Sequence, residues 1–350
     1  MISIIGGGPS GNYAAYLLAK NGFKVNVYEE HKTIGRPVQC TGLITASIDD
    51  VVKIDDGCII NKIGNVRLVA PDGKELFLKL KKKNYVVDRV RFDKFFCEMA
   101  SAEGAKYVFG KKLLDFRENG EIEMLFENGR AKTEVLIGAD GVNSAVNRDK
   151  MRFVIGKQGR FKGTFEDDTF TVHLGIGSFS WIVPENKKTA RIGVIGRDVN
   201  NAYNELMKKG KFKFIESQSG TVPVYDPRLK TQIRNVYLLG DAAGMVKATT
   251  YGGILYGLMA AQELNKALKN DDDYDRLWRA RFGKELHLSL LIRRVLDRMK
   301  SDNYNELIET FSKEQLKKLI SEHDRDFPSK FLFKLILKEP RLLKYMRLLL

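Results

Sequence analysis

Cysteine and histidine are scarce in this chain, which has three of the first and four of the second among 350 residues. Cys40, Cys58 and Cys97 are too few for a disulfide framework and lack the spacing of a zinc site, and the histidines form no H-E-x-x-H pair. No apolar run approaches the roughly eighteen residues that a membrane-spanning helix needs. Because the first predicted strand begins at Met1, we also expect no signal peptide. These absences predict a cytoplasmic protein without a bound metal.

Positive charge, in contrast, is abundant: 59 Lys and Arg residues against 44 Asp and Glu give a formal net charge of +15. This balance favours anionic partners, which include phosphates, nucleic acid and an acidic membrane surface. A length of 350 residues indicates two or three domains.

The first thirty residues predict a complete βαβ unit. Residues 1–5 are an apolar run typical of a buried parallel strand, and residues 25–28 form a second strand. Apolar residues at helical spacing lie between the two, and Asn21-Gly22 offers a helix stop. The glycines after the first strand are in the G-x-G-x-x-G register, and they are Gly6, Gly8 and Gly11.

The chemistry of a dinucleotide explains these residues. The first glycine permits the tight turn, the second lets the backbone approach a pyrophosphate, and the third lets the helix pack closely on the strand. The free N–H groups of the helix, which opens with Pro9 and Ser10, face the diphosphate. Glu29 ends the second strand, where a carboxylate accepts hydrogen bonds from a ribose hydroxyl. We therefore predict a bound adenine dinucleotide, the alternative being a glycine-rich turn without a ligand.

Residues 30–42 lack helical or strand periodicity and predict a loop. In a fold whose second strand ends beside a ribose, this loop runs along the cofactor toward its reactive ring. Arg36 and Cys40 are therefore candidate cofactor contacts. Cys40 is also the candidate functional cysteine, although a solitary cysteine is more often a small buried hydrophobe.

Two more strand-end turns follow the glycine motif, one at residues 138–141 and one at residues 240–244. Asp241 can accept hydrogen bonds from a polyol such as the ribityl chain of a flavin. The N–H groups at the start of the next predicted helix could stabilise the negative edge of a reduced flavin. Asp241 as the N-cap of an ordinary strand–turn–helix is the alternative. The residues singled out in these turns and at this helix start are Asp140, Gly141, Gly240, Asp241, Gly252, Gly253 and Ile254.

Strand and helix patterns divide the chain into three parts. We expect an α/β protein in which a discontinuous, Rossmann-like dinucleotide-binding domain is combined with an antiparallel β-sheet substrate domain and a small helical region. The dinucleotide-binding domain is predicted over 1–70, 92–150 and 229–285, the substrate domain over 71–91 and 151–228, and the C-terminal helical region over 286–350.

Taken together, the three glycine motifs resemble those of the p-hydroxybenzoate-hydroxylase-type flavoproteins, which implies bound FAD. Two further stretches resemble the geranylgeranyl reductases, notably the archaeal digeranylgeranylglycerophospholipid reductases: Pro37-Val38-Gln39-Cys40 and Phe179-Ser180-Trp181-Ile182-Val183-Pro184. The run from Tyr85 to Asp93, which contains Arg89, resembles another stretch of that family.

The resemblance implies roles for individual residues. Cys40 would lie near the flavin, and Phe179, Trp181 and Pro184 would line an isoprenoid cavity, the alternative for the aromatic pair being the core of a sheet. Tyr251 stands where the family commonly has a glycine. It adds bulk near the expected flavin edge and is a candidate substrate contact.

The implied function is an FAD-dependent reductase that saturates C=C double bonds of geranylgeranyl or other polyprenyl chains of archaeal-type lipids. Ferredoxin or NAD(P)H would supply the electrons. Hydride would reach one alkene carbon, and Cys40 is the candidate proton donor to the other. The alternatives are a flavin-dependent monooxygenase of the p-hydroxybenzoate hydroxylase type and a non-catalytic flavoprotein or lipid-binding paralogue.

Residues 330–350 contain six basic residues and one acid. Lys330, Lys334 and Lys338 recur at helical spacing, and Pro340 interrupts the segment. The pattern predicts peripheral contact with an anionic membrane, the alternative being a solvated basic face. No nucleic-acid-binding motif accompanies the charge, so no nucleic acid is expected. The apolar residues of this segment are Phe331, Leu332, Leu335, Ile336, Leu342 and Leu343.

Overall fold

A computed structural model describes residues 1–349 of the chain. The strands, in chain order, are β1 (Ile2–Ile5), β2 (Val25–Glu29), β3 (Leu43–Ile44), β4 (Ile59–Val69), β5 (Glu75–Val87), β6 (Lys106–Phe109), β7 (Leu113–Asn119), β8 (Glu121–Phe126), β9 (Gly129–Thr133), β10 (Val135–Gly138), β11 (Phe153–Lys162), β12 (Thr169–His173), β13 (Phe179–Asn186), β14 (Thr189–Gly196), β15 (Lys213–Ser217), β16 (Gly220–Pro223), β17 (Gln232–Ile233) and β18 (Val236–Leu238). The α-helices are α1 (Pro9–Lys20), α2 (Arg89–Ala102), α3 (Val199–Met207), α4 (Ile254–Asn270), α5 (Tyr274–Trp278), α6 (Lys284–Leu296), α7 (Ser301–Phe311), α8 (Glu314–Glu322) and α9 (Leu332–Lys338). Short 3-10 helices span Ala46–Asp50, Asp56–Cys58, Gly240–Ala243, Pro328–Lys330 and Pro340–Leu349, and Arg279–Gly283 is a π-helix.

The first sheet has the strand order β17-β18-β10-β1-β2-β6 and is parallel except for the edge strand β17. All four residues of β1 are buried, which is what an apolar run in the middle of a parallel sheet requires. α1 joins β1 to β2 and packs against both α2 and α4. The predicted Rossmann-like unit is therefore present, and the carboxyl ends of β1, β10 and β18 meet at one edge.

The second sheet has the order β15-β11-β14-β13-β12-β4-β5-β3, with β16 also paired to β11. Its pairs are antiparallel apart from β12 and β4. Strands β7, β8 and β9 form a separate three-stranded meander. The two main sheets together confirm the predicted fold class, a Rossmann-like α/β domain combined with an antiparallel sheet.

β4 lies in the second sheet, although the prediction placed residues up to 70 in the dinucleotide-binding domain. The strand also begins at Ile59, well before the apolar alternation that starts at Val66. Two register shifts in its pairing with β5, at Ile59/Asn61 and at Ile63/Asn65, explain the difference. The shifts interrupt the regular ladder in the first half of the strand, where the sequence has no steady apolar alternation.

Helices α6 to α9 form most of the C-terminal region. α6 contributes Leu286 and Leu290 to the main apolar core, and α7 contributes Ile308 to the core of the second sheet. Leu335 is buried against α8, so it does not belong to the exposed apolar face that the sequence predicted for it. Among residues 1–349, no helix combines the length and the apolar character that a bilayer crossing requires.

Candidate functional site

The glycine turn between β1 and α1 is shaped by close backbone contacts. Gly6 has a φ of +103°, and a Cβ there would lie 2.3 Å from the carbonyl oxygen of Ala139 at the end of β10. A Cβ at Gly11 would lie 2.2 Å from the Gly6 carbonyl oxygen. At Gly8, however, nothing lies within 4 Å of that position. The turn therefore leaves open space beside the N-terminus of α1, where the backbone N–H groups favour an anion.

Ser10 faces the protein rather than this open space. Pro9 occupies the first turn of α1, and the next residue directs its hydroxyl toward Gly240 and Gly257. A Cβ at those two glycines would lie 2.6 Å and 2.1 Å from the Ser10 Oγ. Both glycines therefore give α1 the room to approach the 240–243 turn and α4.

Glu29 ties the end of β2 to the glycine turn. One of its carboxylate oxygens accepts a hydrogen bond from the Gly7 N–H at 2.7 Å. The other accepts the His31 backbone N–H at 2.9 Å and lies 2.6 Å from the His31 Nδ1. The carboxylate thus sits at the predicted ribose position, in direct contact with the turn.

The loop that carries Cys40 is supported by the buried ion pair of Arg191 and Glu185. Arg191 in β14 donates to the Val87 carbonyl at 3.1 Å and to the Thr41 carbonyl, and its Nε lies 2.8 Å from the Glu185 carboxylate. The Gly42 N–H donates to the Cys40 sulfur at 3.3 Å. Arg36, in the same loop, is exposed. No motif in the sequence marks Arg191 as a support for this loop.

Arg89 is a buried cation that pairs with Asp93. It forms a bidentate pair with Asp93, at 3.1 Å and 2.9 Å. Burial lowers the pKa of its guanidinium, but the Asp93 carboxylate and the Cys40 sulfur raise that pKa above its ordinary value. The Arg89 charge also acts on Asp241, since it lowers the pKa of that carboxyl while burial raises it. The Arg89 guanidinium therefore interacts electrostatically with both Cys40 and Asp241.

Asp140, at the end of β10, has one oxygen that accepts the Ala145 N–H at 2.7 Å. Its other oxygen is buried without a hydrogen-bond partner among residues 1–349. Burial raises the pKa of this carboxyl. Gly141 follows with a φ of +81° and open space at its Cβ position. An unpartnered buried oxygen beside open space is a fitting contact for a bound polar group.

Asp241 meets the N-terminal turn of α4. A Cβ at Gly253 would lie 2.8 Å from an Asp241 carboxylate oxygen, so only glycine allows this approach. Gly253 is the N-cap of α4, and no side chain caps the helix. Gly252 and Ile254 flank it, and the first N–H groups of the helix are left for another acceptor. Gly240 adopts a φ of +62°, which turns the chain from β18 into the 240–243 helix.

Three half-buried aromatic rings form a wall next to this turn. The Phe179 ring lies 5.7 Å from Trp181 and stacks on Tyr251, with centroids 6.2 Å apart and an interplanar angle of 14°. Trp181 Nε1 donates to the Gln158 Oε1 at 2.9 Å. Pro184, further along β13, is buried and by strand alternation points to the face opposite Trp181. The structure therefore groups three of the four predicted substrate contacts.

Gln158 connects this aromatic wall to the cysteine loop. Its Oε1 accepts both the Trp181 indole and the Thr41 hydroxyl, the latter at 2.6 Å. Thr41 is the neighbour of Cys40, while Tyr251 at the other end of the wall lies two residues before Gly253. These contacts, together with the short backbone segment from Tyr251 to Gly253, link the cysteine loop to the turn that faces the Asp241 carboxylate. Gln158, which the sequence analysis missed, is the central link.

Fold and site define a Rossmann-like dinucleotide-binding protein with an attached antiparallel sheet. A model of the NAD(P)-binding Rossmann-like domain matches residues 4–41. The chain is 29% identical to the digeranylgeranylglycerophospholipid reductase of Methanocaldococcus jannaschii, over 99% of this chain and 97% of that protein. It is 28% identical to the same-named protein of Methanothrix thermoacetophila, over 91% and 93% of the two chains. The resemblance to the geranylgeranyl reductases that the motifs indicate is confirmed.

Solved structures show the same fold. A geranylgeranyl bacteriochlorophyll reductase-like protein from Thermoplasma acidophilum superposes with a TM-score of 0.84, at 21% identity, and covers 100% of this chain and 98% of that one. A flavin-dependent brominase superposes with a TM-score of 0.68, at 17% identity, over 99% and 92% of the two chains. Flavin-dependent proteins are therefore among the structural neighbours of this chain.

Proposed function

We propose that this protein is an FAD-dependent reductase that saturates C=C double bonds of geranylgeranyl or other polyprenyl chains on archaeal-type lipids. The observation that carries the proposal is the half-buried aromatic wall, which hydrogen bonds of Gln158 link to the Cys40 loop and which Tyr251 links to the turn before α4. An apolar wall between a thiol and a nucleotide site suits an alkene substrate. The names of the full-length relatives support the same reaction class.

The residues of the dinucleotide site fit FAD. The open space at Gly8 and the N-terminus of α1 suit its pyrophosphate, and Glu29 suits the ribose. Asp140 has a buried oxygen without a partner, and Asp241 adjoins the uncapped end of α4, where the isoalloxazine edge would find N–H donors. When bound and reduced, FAD supplies the hydride for the reduction of an alkene.

Cys40 is proposed as the proton donor for the second alkene carbon. An isolated alkene is a poor hydride acceptor, so acid assistance in a dry cavity is needed. Arg89 is the buried cation that interacts electrostatically with the Cys40 sulfur. Phe179 and Trp181 would exclude water and hold the chain. Arg191 and Gln158 fix the loop and the wall relative to each other.

The test is anaerobic. Purified protein with bound FAD is reduced and mixed with a digeranylgeranylglycerophospholipid in detergent, and flavin reoxidation is followed by absorbance while the lipid is analysed by mass spectrometry. We expect reoxidation that depends on lipid, with a mass gain of one H₂ per reduced bond. A product that gains oxygen only in air would indicate a monooxygenase. Absence of any lipid-dependent reoxidation would indicate a binding protein.

Ferredoxin or NAD(P)H is the proposed electron donor, and the C-terminal region is proposed to contact anionic lipid. Phe333 and Leu337 lie one helical turn apart in α9 and are 70% and 63% exposed. Lys334 and Lys338 beside them are also exposed. An exposed apolar pair flanked by lysines is typical of a helix that lies in the membrane interface.

A further inference from the structure

Tyr251 occupies a backbone conformation that ordinarily belongs to glycine. Its φ of +52° lies in the left-handed region, which costs free energy for a residue with a Cβ and rarely holds a large side chain. Gly252, its neighbour, forms a bridge with Lys247 and closes the loop before α4. A tyrosine persists in such a position only where its side chain makes compensating contacts.

The compensating contacts come from two different parts of the chain. The Tyr251 ring stacks on Phe179 of β13 at 6.2 Å. Residues at the end of α6 also interact electrostatically with Tyr251: burial raises the pKa of its hydroxyl, the Arg293 charge lowers that pKa and the Asp297 charge raises it. Asp297 in turn accepts the Ser178 hydroxyl at 3.1 Å and lies 3.1 Å from the Arg293 Nε.

These contacts fix the Tyr251 ring between the turn that precedes α4 and strand β13. Its backbone belongs to the turn that precedes α4, whereas its ring reaches the strand that carries the aromatic wall. The proposed flavin edge lies at the N-terminus of α4, two residues away. An apolar chain that slides along Phe179 toward that edge therefore meets the Tyr251 ring.

We propose that Tyr251 is a specificity-determining stop, which limits how far an isoprenoid chain can pass the reducing position. The inference rests on the proposed function, and it specifies which double bonds of the chain are reduced. With the stop in place, only double bonds within a limited distance of the free end of the chain reach the reacting atoms. Bonds beyond that distance stay unsaturated.

The first arm of the test measures binding and needs no turnover. Prenyl alcohols of two, three and four isoprene units are titrated against the FAD-loaded protein, with Trp181 fluorescence as the signal and the Trp181→Phe variant to subtract the emission of Trp278. In the wild type we expect affinity to stop rising with chain length. In Tyr251→Gly, which relaxes the backbone, it should keep rising, by about fourfold for each additional buried methylene.

The second arm measures products by mass spectrometry. Wild type should leave residual double bonds, and Tyr251→Gly should shift the distribution several-fold toward full saturation. Tyr251→Phe keeps the ring and should still leave residual double bonds, while Tyr251→Asn, which tolerates the left-handed region, should follow Tyr251→Gly. Identical chain-length profiles in wild type and Tyr251→Gly would overturn the proposal. If binding profiles differ but no variant reduces any lipid, the stop stands and the proposed reaction fails.

Discussion

The Nζ of Lys247 forms an ion pair with the carboxylate of Asp326, and both side chains are almost completely buried. Lys247 belongs to the loop between the 240–243 turn and α4, and Asp326 belongs to the segment that follows α8. Asp326 also accepts the Thr45 hydroxyl at 2.6 Å, and the Tyr256 hydroxyl donates to its backbone carbonyl. The ion pair thus connects the C-terminal region to the loop that leads to the proposed flavin edge.

Replacement of Asp326 by Asn should destabilise the protein strongly. Burial and the Arg325 charge already lower the pKa of Lys247 well below its ordinary value, and the variant removes its counter-ion. Loss of one partner of a buried pair typically costs about 3–5 kcal/mol, because the other charge remains without compensation. Denaturant unfolding of the purified protein measures the change.

The exposed pair of Lys344 and Glu306 provides the matched control. Glu306→Gln should cost less than about 1 kcal/mol, since solvent screens this pair. The double variant Asp326→Asn/Lys247→Met should recover part of the lost stability, because it removes the unpaired charge. Equal midpoints for Asp326→Asn and Glu306→Gln would show that the buried pair does not matter for stability.

Replacement of Asp241 by Ala should weaken FAD binding. The carboxylate lies at the uncapped end of α4 beside Arg89, and a charge-assisted hydrogen bond to the cofactor contributes about 1.5–3 kcal/mol. We expect a loss of affinity of roughly 10- to 150-fold, measured by flavin fluorescence titration of the apoprotein. Asp149→Ala, an exposed aspartate, is the control. Unchanged affinity in Asp241→Ala would remove this residue from the site, and failure of the wild type to bind FAD would remove the proposed function.

The parts of the site that the sequence predicts are those with local patterns. Gly6, Gly8, Gly11 and Glu29 fall within thirty residues, where strand and helix periods fix their relative positions. The left-handed conformation of Tyr251 also agrees with the glycine that the resemblance expects there.

Other parts depend on contacts between distant residues. Thr41 and Gln158 are 117 positions apart, and Arg191 supports a loop 150 positions before it. Single polar residues in predicted strands carry no periodic signal, so nothing in the sequence marks their partners. The buried face of α9 could not be predicted either, because seven residues are too few to define a helical period.

The free energy of unfolding should decrease as the pH falls below neutral, and the residue responsible is His173. Burial, and secondarily the Lys209 charge, lowers its pKa to about 4. The unfolded chain binds a proton below its ordinary value of about 6.5, whereas the folded chain binds one only near pH 4. The folded state therefore loses stability as pH falls from 6.5 to 4, by about 2 kcal/mol between pH 7 and pH 5. Unfolding of wild type and His173→Gln across this range isolates the effect, and parallel pH profiles would contradict it.

Binding to anionic vesicles should depend on α9 and on salt. Phe333 and Leu337 supply exposed apolar area, and each lysine near an anionic surface adds about 1 kcal/mol. The double variant Phe333→Ser/Leu337→Ser should reduce sedimentation with such vesicles. Added salt should reduce it further, since charges are screened within about 10 Å at 0.1 M. Phe153→Ser, a change of an exposed residue in the second sheet, is the control. If vesicle binding does not change with salt, with the double variant or with deletion of residues 330–350, the segment is only a solvated basic face. Leu350 lies outside the described residues.

Cys40 provides the sharpest test of the proposed chemistry. A protonated thiol can donate its proton to an alkene carbon. Cys40→Ser keeps a donor of similar size but much weaker acidity, and Cys40→Ala removes the donor. Both should slow lipid-dependent reoxidation of reduced FAD by roughly 10²- to 10⁴-fold, the range typical of a general acid. Stopped-flow absorbance under anaerobic conditions measures this rate.

The FAD content should remain intact in both Cys40 variants, since Gly8, Glu29, Asp140 and Asp241 supply the other proposed contacts to the dinucleotide. Cys97→Ala, a cysteine of α2, should reoxidise at the wild-type rate and is the matched control. The two variants distinguish the two possible roles of Cys40, which are proton donor and cavity wall. A donor predicts that Ser and Ala are both slow, whereas a wall predicts that the nearly isosteric Ser keeps the rate and only Ala changes it. If Cys40→Ala turns over the lipid as fast as the wild type, the cysteine is loop packing and the proton comes from another group.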